Sequence, residues 1–270
     1  MGHNSKTKSQ KKAAKNVALQ QYVEQDTVVN EDWRLHAVTA VSKDSRAGAM
    51  EFKRGDVIKL PGTYRLHDGK AITVGAPNVN ALLLDFAVRL DIETQDVLHE
   101  IQAEAKHPAL TMATFPDRKM FDGFEKRMAS AVFAFTAIES FTNEIIEIAY
   151  GQGYRYEQKQ KHGLVASLDI ENVLWLTLDE KLGKIVPDAL KIKSPKQTIH
   201  WDNFKRLKRI RNRIVHLKGR DRANSMDRSL WEEMLRPKAA NFGRQMFDLV
   251  GYVYEQAPHL RLRWHHKWPW

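Results

Sequence analysis

The chain of 270 residues has no cysteine, which excludes disulfide frameworks, thiolate-ligated zinc, iron–sulfur clusters and thiol nucleophiles together. Long apolar runs are missing too. Ala81-Leu82-Leu83-Leu84 is among the longest, far short of the ~20 residues a membrane span needs. Met1 precedes a Lys-rich polar stretch without an apolar h-region, so no secretory signal is expected, and Lys6 stands where myristoylation wants Ser or Thr. A cytoplasmic protein with no membrane partner is the expectation. The chain also lacks Gly-x-x-x-x-Gly-Lys-Ser/Thr, Gly-x-Gly-x-x-Gly and Gly-x-Ser-x-Gly, and its aspartates form no two-metal pattern. The adjacent His265 and His266 have no spaced carboxylate to complete a zinc site. No metal and no cofactor are expected.

Positive charge is what the chain has in excess, and it is concentrated. The formal charge is +10, from 43 basic and 33 acidic residues. Between Lys191 and Arg222 stand twelve Lys and Arg against two Asp, and the first fifteen residues add five Lys and no acid. The remainder of the chain is therefore net acidic. Apolar residues interrupt the 191–222 run at helical spacing, so it reads as a folded basic face and not a loose tail. Such a face implies a polyanionic partner, where a solvated helix surface is the plainer reading.

Residues 1–29 read as a basic disordered arm with a short helix over Val17 to about Glu24. Residues 30–78 carry β-branched runs and turn signals, a small β appendage. Within it, Thr63 to His67 and Lys70 to Val74 flank Asp68-Gly69, a pattern that favours a hairpin with a tight primed turn. Pro77 ends this region. Residues 79–258 read as a helical domain with its core at about 120–255, and residues 259–270 as a basic tail. The periodicity predicts helices over Ala81–Ala105, Phe121–Tyr150, Asp169–Leu182, Trp201–Leu217 and Met226–Tyr254, with Pro237 and Gly243 bending or splitting the last. The fold class is mainly α, a helical bundle with a β appendage at one end of the chain.

The fourth helix has two faces. Phe204, Leu207, Ile210, Ile214 and Leu217 form an apolar stripe, while Lys205, Arg209, Asn212 and His216 fall opposite. Arg211 lies at the edge of the stripe beside Val215, where an unpaired guanidinium is costly. A partner carboxylate, a distorted helix, or a helix beginning close by would each relieve it. The string Arg211-Asn212-Arg213-Ile214-Val215-His216 resembles the Arg-x4-6-His signature of HEPN (higher eukaryotes and prokaryotes nucleotide-binding) domains, where a polar residue after the Arg is common. Arg155–His162, Arg209–His216 and Arg261–His266 share the spacing, so context decides. Arg211–His216 sits on an amphipathic helix ahead of Gly219. The long helix before it carries Ala137-Ile-Glu139-Ser-Phe-Thr-Asn143, similar to the family's first core helix, and Leu178-Asp-Glu-Lys181-Leu182 resembles its short connecting helix. The likeness covers about Glu125 to Tyr254 and leaves out the β appendage.

The resemblance implies a HEPN-like bundle and a metal-independent endoribonuclease with a composite site in a homodimer or higher oligomer, of the kind used by toxins and antiphage defence effectors. The chemistry of the residues points the same way. Cleavage without metal needs a base for the 2′-hydroxyl, an acid for the 5′-oxygen and positive charge on the phosphorane. Histidine as a residue type titrates near neutrality and suits the first two; arginine suits the third. One His216 per chain cannot easily serve as both acid and base, whereas a C2 pair presents two. The products would be a 2′,3′-cyclic phosphate and a 5′-hydroxyl. Arg211, His216, Asn212 and Glu139 are the candidate catalytic residues, Glu139 read as pairing with Arg211 and Asn143 as assisting. An exposed polar helix edge is an equal reading of Glu139. Lys205, Lys208, Arg209, Arg213, Lys218 and Arg220 are the candidate RNA contacts. Two alternatives stay open: a non-catalytic RNA- or nucleotide-binding module, and an interaction protein whose basic face meets an acidic or inhibitory partner. Trp264, Trp268 and Trp270 offer a stacking platform for bases or, more simply, anchor the terminus.

Overall fold

The computed structural model describes residues 34, 38–41, 43–47, 50–54, 56–59, 61–105, 117–159, 165–217, 230–235 and 241–257. The expected basic arm, the Trp-rich tail, Lys218 and Arg220 lie outside these residues. Helix dominates, and among the described residues no helix is long and apolar enough to cross a membrane. The chain divides into two compact units, one of residues 1–81, 140–194 and 251–270, the other of residues 82–139 and 195–250.

Among the described residues the first unit holds four antiparallel strand pairs. β1 (Val38–Ala40) pairs with β4 (Val57–Lys59), β2 (Ser45–Ala47) with β3 (Met50–Phe52), and β5 (Pro61–Arg65) with β6 (Ala71–Gly75). The β appendage is thus present. Its last hairpin differs from expectation at the turn. Gly69 donates to the Leu66 carbonyl and Leu66 to the Lys70 carbonyl, giving a three-residue loop with Gly69 at φ +81°. Only Gly69 takes a positive φ there, whereas a two-residue primed turn needs the left-handed region at Asp68 also. Asp68 instead accepts the Lys70 N–H through its side chain. The fourth pair, β7 (Tyr156–Lys159) with β8 (Val165–Leu168), is not among the expected elements.

Helix α1 (Val79–Ala105) begins where the Asn78 side chain accepts the Ala81 N–H. Helix α2 (Asp117–Gly151) closes with Gly153 at φ +95°, its N–H on the Tyr150 carbonyl and that of Tyr154 on Ala149, a Schellman ending. The expected helix over Asp169–Leu182 is corrected to a broken series: α3 (Ile170–Leu174), α4 (Leu178–Glu180), a π turn (Lys181–Ile185) and α5 (Val186–Leu190). Asp169 and Thr177 each cap their own start, so the chain restarts after Trp175 instead of continuing. Pro187 does not stop a helix but occupies the first turn of α5, where its missing N–H costs nothing. Helix α6 (Ile199–Val215) follows, then α7 (Leu230–Leu235) and α8 (Phe242–Gln256), so the expected last helix is split.

A half-buried carboxyl in the first unit has consequences for stability. The Glu144 carboxylate accepts the side-chain amides of Asn78 and Asn80. Burial outweighs these bonds and pushes its pKa up to about 8. Asn80 Oδ1, on the side chain that donates to Glu144, is buried without a hydrogen-bond partner. The folded state thus binds a proton the unfolded chain has released, and stability falls as pH rises from about 4.5 to about 8. Glu144→Gln should match the wild type in urea unfolding at pH 4.5 and exceed it at pH 8.5 by on the order of 3 kcal/mol. A wild-type stability with no such fall would refute this account.

Candidate functional site

Helix α6 owes its frame to local chemistry. Thr198 caps its first turn by accepting the Trp201 N–H, and Asp202 lies in that first turn, against the positive end of the helix dipole. Phe204, Leu207 and Ile210 are fully buried in the second unit, Ile214 and Leu217 half-buried, as the period requires. Lys205, Arg209, Asn212 and His216 are exposed together. The helix ends two residues sooner than expected. Val215 is its last residue, and His216 leaves the helical region at φ −120°, ψ 57° while its N–H still reaches the Asn212 carbonyl at 2.9 Å. The imidazole therefore stands at the exposed rim of the last turn and not along the helix side.

Arg211 is satisfied in a way outside the three expected reliefs. Its guanidinium lies 4.9 Å from the centre of the Phe135 ring, and Nη1 donates to Asn212 Oδ1 at 3.2 Å. Phe135 in turn stacks on Phe204 (centroids 6.3 Å apart, planes at 10°), and Trp201 packs against Phe204 at 5.2 Å. The ring is buried at 6% exposure and cannot turn away, so Arg211 rests on a fixed platform. Among the described residues no hydrogen bond or ion pair joins Glu139 to Arg211. The expected pair is corrected, and the reason is one helical turn: Arg211 meets α2 at Phe135, four residues before Glu139. Glu139 is half-buried on the same helix. Asn143 has another role, accepting the ammonium of buried Lys181 at 2.8 Å, with the Leu174 carbonyl as a second acceptor at 2.9 Å. That ammonium sits at the negative end of α3.

The basic residues divide. Lys205 lies 6.0 Å and Lys196 5.8 Å from the Trp201 ring. Lys208 is half-buried. Arg209 and Arg213, expected as RNA contacts, hold Glu233 of α7 at 2.8 and 3.1 Å, and Arg206 approaches the same carboxylate at 3.7 Å. Beneath them Arg127 is fully buried and donates to the Met234 carbonyl. Burial lowers its pKa to about 10, with the Asp91 charge opposing and the Arg206 charge adding.

Asp91 accepts Ser130 Oγ at 2.6 Å and the Gly243 N–H at 2.8 Å, the latter at the start of α8. Burial raises it to about 6 in spite of those bonds and the nearby Arg127 charge. Phe135 and Glu233 are the residues that sequence reasoning passes over. An aromatic in a helix core and an acid 24 residues from its cation carry no local signal of either contact. Comparison with family models, with curated proteins and with solved structures finds no match for the chain.

Proposed function

We propose that the protein is a metal-independent endoribonuclease of the HEPN kind, acting through Arg211, Asn212 and His216 in a pair of chains. One observation carries the reading: a guanidinium seated on a buried ring and bonded to the neighbouring amide lies in the last turns of α6, and an exposed imidazole follows just past its end. Fixed cation and accessible imidazole are what phosphodiester transesterification asks of protein groups. In that reaction the 2′-oxygen attacks phosphorus as a base removes its proton, and the 5′-oxygen leaves with a proton from an acid. His216 of one chain serves as base and that of a second as acid, with Arg211 donating to the non-bridging oxygens. Asn212 holds the guanidinium in plane. The mainly helical fold is compatible with a HEPN-like bundle, and the biology that follows is RNA cleavage in toxicity or antiphage defence.

The test is direct. Purified protein incubated with single-stranded RNA in excess EDTA should generate fragments ending in 2′,3′-cyclic phosphate and 5′-hydroxyl. Fragments with 3′-hydroxyl ends, or none while RNA still binds, would replace this reading with a different nuclease or a binding module.

A further inference from the structure

Three guanidiniums of α6 converge on one carboxylate. Arg206, Arg209 and Arg213 stand at i, i+3 and i+7, one stripe of the helix spanning about 10 Å, and all three reach Glu233 within 3.7 Å. The Glu233 side chain is 15% exposed and those of Arg206 and Arg213 are 27% and 20%, whereas that of Arg209 is 61% exposed, so solvent reaches the fan from the Arg209 end. Glu233 belongs to α7, which has six residues among those described. It has anchors besides that carboxylate: Leu230 and Met234 are buried, Trp231 packs on Phe124 at 5.1 Å, and the Met234 carbonyl accepts from Arg127.

We propose that Glu233 occupies the seat of a nucleic-acid phosphate, and that Arg206, Arg209 and Arg213 form a phosphodiester-binding fan which this carboxylate keeps closed. The inference deepens the ribonuclease reading and rests on it for the choice of polyanion. A phosphodiester carries the same single negative charge as a carboxylate and presents two non-bridging oxygens to guanidinium forks, so it can make with the fan the bonds that the carboxylate makes. Arg209 also shares the exposed face of Lys205, Asn212 and His216, which puts the fan alongside the proposed scissile position. RNA entering the fan releases its own condensed counterions in either case, but in the wild type it displaces Glu233 where a fan without that carboxylate would also shed a bulk anion.

The test uses a 2′-O-methyl oligoribonucleotide, which binds but has no 2′-hydroxyl to react, followed by fluorescence anisotropy over a range of salt. Glu233→Gln should bind it about 5-fold tighter at 0.1 M salt, with a steeper slope of log K against log salt because the open fan sheds a bulk anion on binding. Equal or weaker binding with an unchanged slope would make Glu233 a structural buttress and overturn the proposal. Should Glu233→Gln fail to fold, Arg209→Gln carries the test: the fan predicts several-fold weaker binding, a bystander none. Cleavage of ordinary RNA is scored separately. Tighter binding by Glu233→Gln with no cleavage removes the nuclease and leaves the phosphate seat, while cleavage without tighter binding does the reverse.

Discussion

His216→Ala is expected to lower RNA cleavage by about 10²–10⁴-fold, the usual worth of a general acid or base, with RNA affinity and melting temperature unchanged. The physical grounds are the position of the side chain. His216 is exposed beyond the last helical turn and its backbone N–H supplies the end bond to Asn212, which alanine keeps. Surface positions of this kind shift stability by no more than ~0.5 kcal/mol. Arg211→Ala differs in kind, because it also bares the face of Phe135 and leaves Asn212 Oδ1 without its donor. It should lose turnover and about 1 kcal/mol of stability together. Arg211→Lys separates the two, restoring charge over the ring but not the fork that grips a phosphorane. Full cleavage by His216→Ala would take the residue out of the mechanism, and with it the reason for a composite site.

The split face of α6 was legible because both faces follow from one period: Phe204, Leu207 and Ile210 are buried where Lys205, Arg209, Asn212 and His216 are exposed. The discomfort of Arg211 was legible for the same reason. Its remedy was not, since Phe135 lies on another helix and the choice between Phe135 and Glu139 turns on how two helices are offset, which no single-helix pattern encodes. Glu233 escaped for a related cause: charge counted along the chain registers a basic surplus but not which acid folds onto it. The β5–β6 hairpin was visible through Asp68-Gly69, while β7–β8 was not, because Glu157-Gln158-Lys159 offers neither β-branching nor a clear alternation. In the stretch from Asp169 the apolar period ran on through two capping side chains, and the caps prevailed.

Gly243→Ala is expected to cost about 3–5 kcal/mol of stability. A Cβ at this position would stand 2.5 Å from the Val88 nitrogen, 2.7 Å from the Ala87 carbonyl carbon and 2.9 Å from the Val88 Cα. All three are backbone atoms inside α1, so no rotamer change relieves the contact and α8 must move off. The Gly243 N–H donates to Asp91, and separation of the helices breaks that bond in the interior. Asp91 is then left with fewer donors beside buried Arg127, whose charge it balances, and breaking up such a pair is costly in its own right. The glycine is thus where close approach of two helices and satisfaction of a buried carboxylate meet. Gly123→Ala is the matched control: it too lies in a helix and is buried, but its Cβ would meet only a Val97 methyl at 3.4 Å, an ordinary contact. That variant should be neutral or gain up to ~1 kcal/mol of helix propensity. Urea unfolding of the pair reads the difference, and equal stability of the two variants would mean that α1 and α8 do not approach as closely as Gly243 allows.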